Sequence, residues 1–427
     1  MIWLYRLIDL FMAAVLCLGL LVSSTLLPYE SSDQPRAFTR SLEFDYVSWE
    51  LDAILLKNAQ GALDVPRYLT IDQQHQVVTQ YLDLVQKINV AENNIEEIYA
   101  DPKILDKASQ IAPLSANLND LKDLRSRLGP LAEEVMQTQI SSVLADFGLT
   151  TGGQPLPPLL YHTTPLPMAL IISPRSEILE VNNISLDPDL SLEQMVNLED
   201  RVEKALNVSA LVTGIGGVGT YPTMVMSTTD MSWLASTISH EWTHNFLTLR
   251  PLGMNYFSSP EMRTINETTA NQVGNEVGRA VLARYYPEYL PPPPPLPTPT
   301  PTGPTATPAG PTPTPSGPPP FNFNHEMHTT RVNVDQMLKD GKIDEAEAYM
   351  EARRQFFLDH GYLIRKLNQA YFAFNGAYND QPGGGAAGED PVGPAVIKLR
   401  SQSASLADFL NKISWVTSFD QLTSLLK

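Results

Sequence analysis

The stretch that decides the fold is Ser232-Trp-Leu-Ala-Ser-Thr-Ile-Ser-His240-Glu241-Trp-Thr-His244-Asn-Phe-Leu247, which contains the pattern His-Glu-x-x-His. Its apolar residues recur at helical spacing, so we predict a helix here. Because side chains four residues apart share one face of a helix, His240 and His244 can bind one metal ion together. Zinc accepts imidazole nitrogen, and a catalytic zinc site has three protein ligands and an open position for water. The stretch therefore predicts two of three zinc ligands.

Glu241 lies beside these histidines without having to bind the metal itself. In sites of this kind the carboxylate takes a proton from the metal-bound water as the water attacks a peptide carbonyl. We therefore expect Glu241 to be a general base. The alternative is a coincidental histidine pair on a helix surface.

A second helix can supply the third ligand. Ser259 is a good helix cap, Pro260 suits the first helical position, and the helix should continue to about Tyr286. One stripe of this helix holds Glu267, Asn271, Gly274 and Gly278. Two glycines in a helix interior cost about 1 kcal/mol each relative to Ala, so we expect close packing against the histidine helix to offset that cost.

That packing would carry Glu267 to the metal, which makes Glu267 the expected third ligand. The alternative is a solvated carboxylate on an ordinary amphipathic helix. Glu276, which lies off the stripe, is the second choice of ligand.

The combination of His240-Glu241-x-x-His244 with Glu267 23 residues later resembles the gluzincin superfamily of zinc metallopeptidases, which includes the thermolysin-like and M1-aminopeptidase-like enzymes. The resemblance covers about 50 residues. It implies a Zn²⁺ cofactor, a peptide or protein substrate, and an acidic residue four positions after Glu267 that orients the first histidine. This chain has Asn271 at that position, which can accept from an imidazole N–H but adds no charge.

Composition limits the class of partner. A chain of 427 residues with a net charge of −18 and no basic stripe is a poor match for the phosphate backbone of nucleic acid, so we expect no nucleic-acid partner. Its single cysteine, Cys17, cannot form an internal disulfide. The sequence does not indicate an oligomeric state.

The first 30 residues predict a single membrane anchor. Eighteen residues from Leu10 to Leu27 carry no charge, which is near the lower limit for a helix that spans a bilayer. A cleaved signal peptide is the main alternative. With an anchor, the protein would lie at the cell membrane with most of the chain outside the cytoplasm.

Residues 31–150 predict a helical stem. The expected helices run from Leu42 to about Leu63, from Thr70 to Ala100, from about 103 to 127 and from 130 to 147, with a break at Gly129-Pro130. Thr151-Gly-Gly-Gln-Pro marks a boundary. The stem is interpreted as a spacer, with a binding module as the alternative.

Residues 151–289 predict a zinc-binding catalytic subdomain with a small sheet. Strands are expected at Met168–Ser173, Glu177–Val181, Val208–Val212 and Tyr221–Met226, with a helix at about 191–206. The gluzincin resemblance implies an edge strand that pairs with substrate, and we assign this role to the strand beginning at Tyr221. Gly214-Ile-Gly216-Gly-Val-Gly219 matches a dinucleotide-binding pattern, but no helix follows it, so we interpret it as a tight turn.

Residues 290–320 are expected to be a disordered Pro/Thr-rich segment, since 16 of the 30 residues from 291 to 320 are proline. It either joins two domains or is an insertion in one, and we favour insertion. Residues 321–427 would then form a helical subdomain that completes the cleft, with helices at Val332–Asp340, Ile343–His360, Tyr362–Tyr378, and about 395–411 and 418–426. His325 and His328 are left out of the metal site.

The helix expected at Tyr362–Tyr378 places Asn368, Tyr371, Asn375 and Tyr378 on one face. This tract is similar to one near the C-terminus of bacterial gluzincin aminopeptidases, so we assign Asn368 to substrate binding. Gluzincins stabilise the oxyanion with a Tyr or His after the ligand Glu, and the resemblance makes Tyr371 or Tyr378 the expected donor. Alternatively, these tyrosines pack with their hydroxyls at the surface.

The sequence as a whole predicts an α+β, mostly helical protein that acts as a membrane-anchored zinc metallopeptidase. Cleavage at chain ends and internal cleavage both stay open. The alternatives are a catalytically inactive zinc-binding scaffold and a surface stalk protein without metal. Glycosylation triplets at Asn183, Asn207 and Asn266 are expected to be unused, because a glycan at Asn266 would lie beside Glu267.

Overall fold

The computed structural model describes residue 11 and residues 33–100, 104, 106–215, 217–290, 321–375 and 391–426. Over these residues the chain is mostly helical with two small sheets, which confirms the α+β class. The expected membrane anchor and Pro/Thr-rich segment lie outside the described residues. No helix in the described part of the chain combines the length and apolar character needed to cross a bilayer.

The N-terminal part consists of four helices: α1 (Arg36–Thr39), α2 (Tyr46–Leu63), α3 (Ile71–Ala100) and α4 (Lys107–Asp146). The expected break at Gly129-Pro130 is wrong, because α4 continues through Pro130. Proline removes one backbone hydrogen bond from a helix. Packing of the second half of α4 outweighs that loss: Gly129 lies against Tyr81 of α3, and Val135 and Ile140 are fully buried in the core.

The first strand, β1 (Tyr161–Thr163), belongs to the smaller of two sheets. The larger sheet consists of three antiparallel strands in the order β3-β2-β4, with β2 at Met168–Pro174, β3 at Asn182–Leu186 and β4 at Val208–Gly214. The prediction of a strand at Glu177–Val181 is wrong, because the strand that pairs with β2 is β3, which lies further along the chain. Residues 177–179 instead turn back on β2, where the Ser173 hydroxyl donates to the Glu177 carbonyl and accepts from the Leu179 amide.

The smaller sheet has the order β1-β6-β5, with β5 at Gly217–Val218 and β6 at Thr223–Val225. We expected an edge strand at Tyr221–Met226, and this is wrong. β6 pairs with β1 on one side and with β5 on the other, and all three of its residues are buried. The edge strand that neighbours the histidine helix is β5.

The helix α5 (Leu192–Leu206) covers one face of the larger sheet, and the remaining helices follow the smaller sheet: α6 (Met231–Leu247), α7 (Pro251–Met254), α8 (Pro260–Tyr285), α9 (Phe323–Lys339), α10 (Ile343–Asp359), α11 (Gln369–Asn375), α12 (Val392–Gln402), α13 (Leu406–Ile413) and α14 (Phe419–Ser424). Helices α5, α6 and α8 agree with the predicted ranges.

The C-terminal helices differ from the prediction in their ends. α9 begins at Phe323, nine residues before the expected start, because the Asn322 side chain caps it by accepting from the His325 amide. The helix expected at Tyr362–Tyr378 is shorter, since α11 begins only at Gln369. Three helices close the chain where two were expected, because Ser405 caps a new helix after α12.

One hydrophobic core joins α3 and α4 to α6, α8 and the last three helices. Its fully buried members come from both sides of residue 150 and from both sides of residues 291–320, for example Ile140, Ile238, Val277 and Val396. The expected boundary at residue 150 therefore does not separate two hydrophobic cores.

Candidate metal centre

Helix α6 presents both histidines on one face. The Asp230 carboxylate caps the start of the helix by accepting from the Trp233 amide at 2.9 Å. On the face of the helix opposite the histidines, Trp242 is buried in the core. The Nε2 atoms of His240 and His244 lie 3.0 Å apart. The predicted helix and the shared face are both confirmed.

Helix α8 brings a carboxylate to the same point. Glu267 Oε2 lies 3.6 Å from His240 Nε2 and 3.7 Å from His244 Nε2. A tetrahedral zinc ion with ligands at ~2.0–2.2 Å would hold such atoms about 3.3 Å apart. All three separations are within a few tenths of an ångström of that value. Among the described residues this is the one group of three His, Cys, Asp or Glu side chains spaced for a metal ion.

The two glycines of α8 allow this approach, as we expected. A Cβ at Gly274 would lie 2.7 Å from the Ser236 carbonyl oxygen and 3.1 Å from His240 Cβ. A Cβ at Gly278 would lie 2.9 Å from the Ser236 Cα. Because side chains at these positions would overlap α6, glycine is what lets the Glu267 helix lie close enough to complete the cluster.

Two asparagines orient the imidazole rings. His240 Nδ1 lies 3.1 Å from Asn271 Oδ1, and His244 Nδ1 lies 2.9 Å from Asn266 Oδ1. An amide oxygen only accepts, so each Nδ1 carries a proton and donates it. In its neutral form, each ring then has its Nε2 lone pair turned toward the other ring and toward Glu267. Two lone pairs 3.0 Å apart repel each other unless a cation lies between them, so the donor set fits a metal ion.

Asn271 thus holds the position that we assigned to it, whereas the role of Asn266 was missed. We considered Asn266 only as a glycosylation acceptor, but its side chain is buried and its amide nitrogen donates to the Leu252 carbonyl at 3.4 Å. The one signal in the sequence was its place next to Glu267. Glu276, the second choice of ligand, forms a two-point ion pair with Arg400 at 2.6 and 2.8 Å.

Tyr256 supports the Glu267 carboxylate and was also missed. Its hydroxyl donates to Glu267 Oε1 at 2.5 Å, which leaves Oε2 directed at the histidines. Burial would raise the pKa of Glu267, but positive charge on the His244 and His240 rings, when these are protonated, and the Tyr256 hydroxyl outweigh burial and hold the pKa at about 2. A cation bound between the rings would act in the same direction. Glu267 is therefore ionised and fixed in position, as a metal ligand must be.

Glu241 lies in a different environment from Glu267. It is buried, and burial is the main cause that raises its pKa to about 7, with the Glu267 charge adding to it and His244 opposing it. Two neighbouring carboxylates with widely separated pKa values are typical of a site that divides the tasks of ligand and general base.

The β5 backbone forms the wall beside Glu241. A Cβ at Gly217 would lie 2.5 Å from Glu241 Oε1, and a Cβ at Gly219 would lie 3.2 Å from His244 Cβ. The glycine-rich stretch that we interpreted as a tight turn therefore includes the edge strand next to the candidate metal centre.

The other predicted site residues lie outside the group of three side chains spaced for a metal ion. Asn368 lies just before α11, and both polar atoms of its side chain form hydrogen bonds there. Its amide nitrogen donates to the Ala210 carbonyl at 2.9 Å, and its Oδ1 accepts from the Tyr371 amide. These bonds hold α11 on the larger sheet, and substrate binding by Asn368 stays a prediction. Tyr371 packs with the apolar residues around α11, and Tyr378 lies outside the described residues.

Tyr221 precedes β6, and its hydroxyl donates to the Pro158 carbonyl at 3.1 Å. That bond ties the residue to the chain that leads into β1. The strand we assigned to substrate pairing is interior, so the assignment of Tyr221 to substrate binding loses its basis.

No family model, curated protein or solved structure matches this chain.

Proposed function

We propose that this protein is a zinc metallopeptidase, anchored in a membrane by residues 10–27, that hydrolyses peptide bonds outside the cytoplasm. The observation that carries the proposal is the convergence of His240 Nε2, His244 Nε2 and Glu267 Oε2 beside the buried carboxylate of Glu241. A metal-binding cluster alone is consistent with a scaffold. A buried carboxylate next to it supports hydrolysis.

His240, His244 and Glu267 would hold the zinc ion. When bound, zinc would act as a Lewis acid that polarises the scissile carbonyl and makes water acidic enough to be deprotonated near neutral pH. Asn266 and Asn271 keep the Nε2 atoms of both histidines unprotonated, and Tyr256 keeps Glu267 Oε2 turned toward them.

Glu241 would then move the protons. Its ionised carboxylate takes a proton from the attacking water and returns that proton to the leaving amine. A base must be unprotonated to begin this cycle. Nearby positive charge lowers a carboxyl pKa, so loading with zinc would bring the pKa of Glu241 below about 7 and leave the residue ready at neutral pH.

The edge strand β5 offers a way to hold a peptide. Its partner within the sheet is β6, and no other described strand pairs with its second edge, which could accept an added strand, a known mode of peptide recognition. Gly217 of this strand packs against Glu241. A substrate paired with β5 would therefore run past the general base.

Metal content and cleavage of a mixed peptide library by the purified full-length chain test the proposal. The wild type should bind one zinc ion and cleave peptides. His244→Ala should lose zinc and activity, because one of three ligands is missing. Glu241→Gln should keep zinc and lose at least about 10²-fold in kcat, because a carboxamide is not a base.

Two outcomes would contradict the proposal in different ways. Full zinc content with no cleavage of any peptide by the wild type would leave an inactive zinc-binding scaffold. A wild type that binds no zinc would leave a stalk protein.

A further inference from the structure

Helix α2 presents its apolar side to solvent. Val47, Leu51, Ile54 and Leu55 lie at positions i, i+4, i+7 and i+8, which share one helix face. Their exposed fractions are 69%, 59%, 39% and 67%. In a surface helix this spacing normally marks the face that packs on the core, so here the usual arrangement is reversed.

Polar contacts hold the side of α2 that packs on the protein. Its buried residues are Ala53, Lys57 and Gln60. The Lys57 ammonium forms a buried ion pair with Glu133 of α4, and Gln60 donates to the Pro130 carbonyl at 2.9 Å. Breaking a buried ion pair by exposing one partner is strongly destabilising. These contacts therefore fix the rotation of the helix and leave the apolar face outward.

The exposed surface of α2 carries very little charge. Among its exposed residues only Asp52 is charged. At the C-terminal end of the helix the apolar surface continues with Leu63, Tyr68 and Ile71, which are 69%, 77% and 60% exposed. Exposed apolar surface of this extent typically marks a contact with a membrane or another macromolecule.

The sequence that precedes α2 indicates that this contact is with a membrane. The uncharged run Leu10–Leu27 is separated from Asp33 by only five residues, which span at most about 20 Å. The Arg36–Glu43 ion pair at 2.6 Å and the bridge from Glu43 to Leu186 hold the following segment on the sheet. The start of α2 at Tyr46 therefore lies close to the point where the apolar run joins the folded body.

We propose that the exposed apolar face of α2 lies in the interface of a lipid bilayer, the same bilayer that holds residues 10–27. This inference rests on the membrane-anchoring part of the proposed function. The α2 face itself has no exposed Lys or Arg, and the exposed Arg67 beyond its end lies 3.9 Å from Asp64. Because the chain has a net charge of −18, the contact depends on apolar insertion and not on attraction to anionic lipids. With two contacts, the body lies against the membrane in a fixed orientation.

Fluorescence depth measurement on the full chain in vesicles of zwitterionic phosphatidylcholine tests this. Cys17, the single cysteine, is first changed to Ser, and an environment-sensitive dye is then attached at Leu51→Cys, Leu55→Cys or Leu363→Cys. Leu363 is the matched control, because it is an apolar residue of the C-terminal part that is 92% exposed. Nitroxide-labelled lipids report contact of the dye with the bilayer.

We expect blue-shifted emission and severalfold stronger lipid quenching at positions 51 and 55 than at 363. Water-like emission at all three positions would overturn the inference. Shielded emission at 51 without lipid quenching would also overturn it, because a protein surface, such as a second copy of the chain, would then cover the face.

A full chain that does not associate with vesicles would remove both the anchor and the α2 contact. Zinc content of the same labelled samples is measured in parallel. Because α2 contributes no residue to the metal cluster, zinc binding should be equal in all three variants, whichever result the dye gives. A failure of the proposed metal site is therefore distinguished from a failure of the membrane contact.

Discussion

Gly217 and Gly219 determine how closely the β5 backbone approaches the candidate general base. The space between Gly217 and Glu241 is filled by the carboxylate itself, since an added Cβ would lie 2.5 Å from Oε1 and 3.0 Å from both Cδ and Cγ. Glu241 is buried and its pKa is raised to about 7 by that burial. The position and the basicity of Glu241 therefore both depend on the absence of a side chain at residue 217.

We predict that Gly217→Ala lowers kcat by about 10²-fold, because the new methyl group must push the carboxylate away from its working position. Zinc content should be unchanged, since the three atoms nearest to the Gly217 Cβ position all belong to Glu241, which is not a proposed ligand. Parallel measurement of kcat, KM and zinc content checks this.

Gly214→Ala is the matched control within the same glycine-rich stretch. A Cβ at Gly214 meets no atom within 4 Å, so this variant should keep wild-type kcat. Equal loss of activity in both variants would mean that the stretch matters for folding and not for the position of Glu241.

At this scale the ligand residues could be predicted and their supports could not. His240, His244 and Glu267 follow from spacing along two helices, because the period of a helix fixes which residues share a face. Tyr256 lies on the connection between those helices, and no periodicity fixes where an irregular segment places its side chains. Asn368 was assigned to substrate binding for its place on an expected helix face, but it precedes the helix and bonds to a strand carbonyl.

The pairing of α6 with α8 is the structural element on which the metal centre depends. Ser236 of α6 packs directly on Gly274 and Gly278, so the two helix backbones are in contact near the ligands. Any added volume at this contact must separate the helices. Glu267 lies on the same helix as both glycines and would move with it.

We predict that Gly278→Ala destabilises the protein by up to about 2 kcal/mol. Overpacking typically costs about 1–3 kcal/mol, while the better helix propensity of Ala returns about 1 kcal/mol. The clash is with the backbone of Ser236 as well as its side chain, so a rotamer change does not relieve it. Denaturant unfolding measures the change, and zinc affinity should fall with it.

Gly61→Ala in α2 provides the comparison. A Cβ at Gly61 meets nothing within 4 Å, so this variant should gain up to about 1 kcal/mol from helix propensity alone. A Gly278→Ala protein that is as stable as Gly61→Ala would show that α6 and α8 are not in close contact.

The elements that differ from prediction share a physical cause. Pro130 is a helix breaker by its local chemistry, yet α4 continues because its flanking residues are buried against α3 and α8. The run after Tyr221 reads as a strand, but sequence does not tell an interior strand from an edge strand when both neighbours are as short as β1 and β5. The local sequence predicted that these elements form, whereas tertiary contacts determine where they end and which elements lie beside them.

The described part of the chain is held together across the boundary that we expected at residue 150, and on both sides of the Pro/Thr-rich segment that we favoured as an insertion. α4, which we placed in a stem, contributes Val135 and Ile140 to the same core as α6 and α8. After residues 291–320 the chain returns to that core through α12 to α14, and Arg400 of α12 pairs with Glu276 of α8. The N-terminal helices are therefore part of the support of the metal centre.

Ion pairs fix the remaining C-terminal part on the larger sheet. Arg365 pairs with the buried Glu199 at 2.5 Å, and Arg175 pairs with Glu347 at 2.6 Å. The chain segments joined by these pairs are more than 160 residues apart, which is why the sequence did not indicate them. The same long-range contacts explain why α11 lies on the larger sheet.

The measurement that tests the central claim most directly is a crystal structure of the zinc-loaded protein with anomalous difference maps at the zinc edge. The account predicts one peak at about 2.0–2.2 Å from His240 Nε2, His244 Nε2 and Glu267 Oε2. The Glu241 carboxylate should lie beside the ion without binding it. A peak held by other residues, or no peak between the two histidines at full zinc load, would contradict the account.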